Sequence, residues 1–236
     1  MLKFSPFLLA IAYAVVLYHF SVWRTRRTLD ANSTELVDPL LRVMTDRMAE
    51  VLGVAHVPVH IYEVDPVNGL AAPDGRIFLT RGFYRRYRAG DVTAAELASV
   101  IAHELGHVAL GHTRRRMIDF TGQNALFVSL AALFGRVIPV IGPFVAAAAA
   151  RLVTMLLAAR LSREDEFEAD AWAAALLTRA GIGTAPQKAL FAKLGALTGG
   201  GAPDAPAWLL SHPRTAERIA AIEALEARWQ GSLPRD

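Results

Sequence analysis

No cysteine occurs among the 236 residues. No disulfide can therefore staple the fold, and any bound metal must take histidine or carboxylate ligands. That absence leaves the redox compartment open. Charge is missing too, from Phe4 to Trp23. As a helix this stretch would span ~30 Å, the thickness of one hydrocarbon core. A cleavable signal peptide should offer a small-x-small site after its apolar run. Here the run ends in His19-Phe20-Ser21-Val22-Trp23, so residues 1–29 are expected to form an uncleaved membrane anchor and 30–236 the folded domain.

A second stretch, Met117 to Ala159, carries only Asp119, Arg136 and Arg151 as charges and reads as an apolar hairpin insertion at about 117–160. Its legs, Ala125 to Gly135 and Val137 to Ala150, are short, and an arginine at mid-bilayer is costly. A short transmembrane pair, a hairpin dipping into one leaflet and a buried helical hairpin all fit. Lipid contact is favoured, since 53% of the chain is apolar.

Internal repeats are absent. The net charge is only +3, and its arginines cluster as Arg24/Arg26/Arg27, Arg85/Arg86/Arg88 and Arg114/Arg115/Arg116. No nucleic-acid motif or interleaved stacking aromatics accompany them, so no nucleic-acid partner is expected. Two of the clusters instead flank the apolar stretches. By the positive-inside bias they place the folded domain on the cytoplasmic side of a bacterial-type inner membrane.

What is present begins at His103-Glu104-Leu105-Gly106-His107. Histidines four apart on a helix lie ~40° apart around its axis, so both imidazoles can reach one metal ion. Glu104 flanks the same face, where its carboxylate can take a proton from metal-activated water. Thr93 and Glu96 form a capping box that starts the helix.

The remaining chain reads as short elements. Glu35 to Leu52 is an amphipathic helix stopped by Gly53, and Val57 to Val64 alternates as a strand. Pro73-Asp74-Gly75 marks a turn before a second strand, Arg76 to Thr80. Gly82 to Arg88 is a short basic helix. Helices follow at Glu164 to Arg179, Pro186 to Leu197 and Pro213 to Trp229. The predicted class is α+β, mainly α, with a small antiparallel sheet.

Two histidines leave a catalytic zinc one protein ligand short. The acidic cluster Glu164-Asp165-Glu166-Phe167-Glu168-Ala169-Asp170 is the candidate source. Glu166 and Asp170 share a helical face, and Ala169, Ala173 and Ala174 would let another helix approach closely. One carboxylate can bind the metal while the other holds a histidine ring by its distal N–H.

Ser-Arg-x-x-Glu-Phe-Glu-Ala-Asp at 162–170, following His-Glu-x-x-His at 103–107, resembles the HtpX-like membrane zinc endopeptidases of peptidase family M48, relatives of the CAAX prenyl endopeptidases. Val67 to Gly82 is similar to the segment before the zinc helix of that family, and Ser211-His212-Pro213 with Arg218-Ile219 to its C-terminal motif. The resemblance implies a gluzincin-type domain holding one Zn2+ per chain. In it His103, His107 and Glu166 are ligands, Glu104 is the base, and Asp170 is the partner of a ligand histidine. It also implies that the Arg76 to Thr80 segment is an edge strand whose Ile77, Phe78 and Leu79 pair with an extended substrate. His212 and Arg218 would approach the site, stabilising an oxyanion or, for His212, occupying the open zinc position. Equally, His212 with Pro213 can start the last helix and Arg218 can make a structural salt bridge. The implied activity is peptide-bond hydrolysis in quality control of unfolded or membrane proteins, with the bilayer as a partner. A zinc-containing holdase or membrane adaptor without proteolysis is the alternative, which the presence of Glu104 argues against.

Overall fold

The computed structural model describes residues 5–72, 74–112, 115, 163–198 and 215–231. The expected hairpin at 117–160 and His212 lie outside the described residues. The chain divides into two compact units, Met1–Arg27 with Gly111–Asp165, and Thr28–Leu110 with Glu166–Asp236.

In the first unit the backbone runs through most of α1 (Ser5–Ala31). Val15, Val16, Phe20 and Trp23 are exposed there, and the Arg27 guanidinium lies 5.4 Å from the centroid of the Trp23 ring. The expected anchor draws on side chains of residues 4–14, which lie outside those described. Among the described residues no helix is long and apolar enough to cross a membrane. His112 is fully buried and pairs with Asp165 at 3.5 Å.

The second unit is built on four short strands: β1 (Ser33–Glu35), β2 (Val59–Tyr62), β3 (Gly69–Ala71) and β4 (Ile77–Thr80). Their order is β1-β2-β4-β3. Antiparallel pairing joins β1 to β2 and β3 to β4, but β2 and β4 run parallel. The sheet is therefore mixed, not antiparallel as expected. The difference arises because the chain inserts β3 between β2 and β4, and that extra reversal sends β4 back along β2.

The same insertion overturns the expectation for Ile77, Phe78 and Leu79. β4 pairs on both sides, so it is an inner strand with no free edge for a substrate, and all three side chains are buried. The outer strand beside β4 is β3. Hydrogen-bonded and non-bonded pairs alternate along an antiparallel ladder. Ala72 N–H bonds Arg76 C=O and Thr80 N–H bonds Asn68 C=O, so Gly69 and Ala71 turn their N–H and C=O groups toward the open edge.

Helix α2 (Pro39–Leu52) starts four residues later than the amphipathic pattern implies. Pro39 has no amide to give to a preceding turn. Asp38, extended at φ −141°, caps the helix by accepting from the Leu40 and Leu41 amides. Thr80 caps α3 (Arg81–Arg88), accepting from Phe83 N–H at 3.3 Å.

The central helix is α4 (Ala94–Ala109), and both bonds of its predicted capping box form: Thr93 N–H to Glu96 Oε2 at 2.7 Å and Glu96 N–H to Thr93 Oγ1 at 3.2 Å. Every residue from Glu96 to His107 is buried. Such a helix, buried on nearly all sides, belongs in a core rather than on a surface. It packs on α2, β3 and β4. Leu97 and Ile101 join Met48, Ile77, Leu79, Phe83 and Leu177 in one cluster, each such side chain contributing ~1.5–3 kcal/mol of burial. Residues 163–179 form α5, followed by α6 (Ala185–Thr198) and α7 (Thr215–Gly231). Within the second unit, Ala169, Ala173 and Ala174 of α5 are fully buried, as close helix packing requires.

Candidate metal centre

The sequence sets two turns of α4 against the start of α5, and Gly106 is where they meet. A Cβ built on Gly106 would lie 2.9 Å from the Ala169 carbonyl oxygen and 3.1 Å from its Cα. Both are backbone atoms and cannot swing aside. The absent side chain thus lets α5 approach closely enough for Glu166 to reach two histidines one turn apart.

His103, His107 and Glu166 each offer one ligand atom, and these atoms lie within 4.8 Å of one another. Glu166 Oε2 is 3.4 Å from His103 Nε2, and its Oε1 is 3.4 Å from His107 Nε2. The two Nε2 atoms are 3.1 Å apart. All three residues are buried. Three electron-rich atoms facing each other at this range in a dry site call for a cation between them. Two imidazoles and a carboxylate without thiolate suit zinc. The donor set therefore fits a metal.

Behind the ligands a second layer fixes their orientation. His103 Nδ1–H donates to Asp170 Oδ1 at 2.8 Å, which leaves Nε2 as the lone-pair atom facing the centre. Asp170 is held in turn by Arg218 from α7, Nε to Oδ2 at 2.5 Å and Nη2 to Oδ1 at 2.7 Å. Arg218 is 1% exposed, and its guanidinium lies 4.3 Å from the centroid of the Phe191 ring of α6. Nη1 stands 3.7 Å from Glu166 Oε2. Gln187 Nε2 adds long contacts of 3.4–3.5 Å to Asp170.

The electrostatics follow from this layering. Burial resists charge on His103, yet its bonds to Asp170 and Glu166 prevail and carry its pKa up to about 9. Burial dominates at His107, helped by the charge on His103, and takes it down to about 4. Asp170 is pushed upward by burial, but Arg218 outweighs that and holds the carboxyl below its ordinary range.

The predicted residues His103, Glu104, His107, Glu166, Asp170 and Arg218 come together in this one region. Of the two expectations for Arg218, the geometry shows the salt bridge: its Nε and Nη2 bond Asp170 and so position that carboxylate. Glu104 is buried on α4, and a Cβ on Gly69 would lie 3.5 Å from both its Cγ and Oε1. One face of β3 therefore lies against the expected base at Gly69. Glu168, three residues from Asp165 on the chain, is exposed. Trp172 packs partly buried against the core, as a packing residue does.

Gly69, Ala71, Gly106, Gln187 and Phe191 were not singled out by sequence reasoning. Only Gly106, a glycine inside an otherwise strong helix former, carried a local signal.

Known proteins are similar to this chain in sequence. The profile of peptidase family M48 matches residues 35–226. Metalloprotease LoiP of Escherichia coli (strain K12) is 32% identical over 158 residues, 67% of this chain and 58% of LoiP, so the chain spans less than two thirds of that relative. Protease HtpX homolog of Gemmatimonas aurantiaca is 28% identical over 226 residues, covering 80% of this chain and 76% of the relative.

Proposed function

Because the chain belongs to peptidase family M48, as an HtpX-like metallopeptidase, we propose that it is a zinc-dependent endopeptidase acting on extended segments of unfolded or membrane proteins. The observation that carries this reading is the buried convergence of His103, His107 and Glu166 within 4.8 Å, beside Glu104, which lies against β3 at Gly69. In this reading His103, His107 and Glu166 hold one zinc ion. When bound, that ion supplies an acidified water and a Lewis acid for the peptide carbonyl.

The chain's own residues do the rest. The N–H and C=O groups of Gly69 and Ala71 pair with the substrate backbone, laying it as an added strand along β3. This strand takes the role first expected of Ile77 to Leu79. Glu104 accepts the proton of the attacking water and returns it to the leaving nitrogen. Asp170 keeps His103 in the tautomer that presents Nε2, and Arg218 keeps Asp170 ionised in a dry setting.

The wider setting rests on the sequence. The uncharged Phe4 to Trp23 run and its following arginines support a chain anchored in a bacterial-type inner membrane, the domain on the cytoplasmic side. Such a protease, able to accept any extended backbone, suits quality control of misassembled proteins. The test is cleavage of unfolded casein by the purified zinc-loaded protein. Glu104→Gln should keep the metal and lower the rate by at least ~10²-fold. Cleavage by that variant at the wild-type rate would reject the role of Glu104.

A further inference from the structure

We propose that the last turn of α1 positions the substrate-pairing strand, with Leu29 and Asp30 clamping the β3–β4 hairpin from the face opposite α4. The proposal rests on reading β3 as the strand that receives substrate.

β3 is only three residues long and is paired on one side. Strands so short and so placed open locally unless something covers them. On one face α4 supports it: a Cβ on Gly69 would lie 2.8 Å from Val100 Cγ1. On the other face Leu70 and Tyr62 pack against a small cluster of Leu29, Ala72 and Phe78, separate from the main core. Leu29, from α1, is 4% exposed and, among the described residues, is the one buried member of that cluster from outside the sheet segment.

A charged link ties the same turn of α1 to the tip of the hairpin. Arg76 reaches Asp30 Oδ1 through Nη1 at 2.7 Å. Its Nε and Nη2 donate to Asp74 Oδ2 at 3.0 and 2.8 Å. One guanidinium therefore joins the turn at Asp74-Gly75 to the helix end, while it also lies 5.3 Å from the centroid of the Phe78 ring. The helix end is itself fixed to the sheet. Ser33 Oγ donates to Leu29 C=O at 2.6 Å, and Glu63 N–H donates to Asn32 C=O at 2.9 Å. This turn of α1 therefore meets the sheet on the face opposite α4, beside β3.

The full chain is tested as Asp30→Asn, Leu29→Ala and the conservative Leu29→Ile. Two quantities are read: KM and kcat on fluorogenic casein, and hydrogen exchange at the Ala72 amide, which bonds Arg76 C=O. The Leu97 amide of α4 serves as the control for global loosening. Asp30→Asn and Leu29→Ala should raise KM about threefold or more with kcat and zinc content unchanged, and speed Ala72 exchange by a similar factor. Leu29→Ile should restore both. Wild-type exchange at Ala72 in Asp30→Asn and Leu29→Ala, or a fall in kcat at constant KM, overturns the proposal. Should Leu29→Ala fail to fold, Asp30→Asn decides alone. Absence of cleavage by the wild-type chain would sink the protease reading, while the exchange measurement would still decide the clamp.

Discussion

Guanidinium–carboxylate pairs occur on α3 and behind the metal centre, in opposite settings. On α3, Arg81 meets Glu63, Arg85 meets Asp65 and Arg86 meets Asp91. These side chains are one-third to nine-tenths exposed, so solvent screens them and each contributes ~0–1 kcal/mol. Arg218 and Asp170 are 1% exposed. There the charges cannot be rehydrated, and losing one partner strands the other. The first set offsets the charge of a basic helix at the surface. The second spends desolvation to lock the orientation of a histidine ring. Arginine-rich segments draw attention in a sequence, but here the lone Arg218 is the one that shapes the site.

The comparison breaks most easily at Arg218. Arg218→Met leaves Asp170 buried without its countercharge and should lower stability by ~3–5 kcal/mol in urea titration. The folded Asp170 carboxyl is held below the ordinary 3.8, so its contribution is present above that pH and vanishes as pH falls through its folded value. Arg218→Met should therefore flatten the acid limb of the stability profile.

A second probe is Gly106→Ala. Helix propensity alone predicts a gain of ~1 kcal/mol. Contact with the Ala169 backbone predicts the reverse, a loss of ~1–3 kcal/mol together with weaker metal binding. A stabilised variant with intact affinity would remove the close helix crossing from the account.

Protons sharpen the contrast next. With a pKa of about 9 in the metal-free centre, His103 is charged near neutrality, and a metal must expel that proton. Calorimetry in two buffers of different ionisation enthalpy near pH 7.5 should show release of about one proton, with affinity rising roughly tenfold per pH unit until about 9. Binding heats independent of buffer would mean that His103 is already neutral. The smallest effect belongs to the surface. Arg86→Met should shift stability by less than ~1 kcal/mol and leave metal binding untouched, and a loss rivalling that of Arg218→Met would erase the distinction.

Much of the site was legible because it is local. Four-residue spacing puts His103 and His107 on one face, the Thr93–Glu96 box announces the helix start, and Glu166 with Asp170 repeats the four-residue logic on α5. Small residues at 169, 173 and 174 signalled close packing, and the structure buries all three. What sequence could not give was partner choice across long separations. Arg218 finds Asp170 from 48 residues away, and nothing near either residue names the other. The sheet failed for a different reason. β3 has three residues and no β-branched side chain, so it lacks the alternating pattern that marks a strand. Missing it made β4 an edge and the sheet antiparallel. One overlooked strand thus moved the expected substrate contact from Ile77–Leu79 to Gly69–Ala71.

The claim on which the account turns is that a carboxylate from α5 completes the metal shell. Elemental analysis of purified Glu166→Ala and Glu168→Ala proteins tests it directly. Glu166→Ala should lose zinc while Glu168→Ala retains one ion per chain. Full zinc occupancy in Glu166→Ala, with loss in Glu168→Ala, would contradict the assignment.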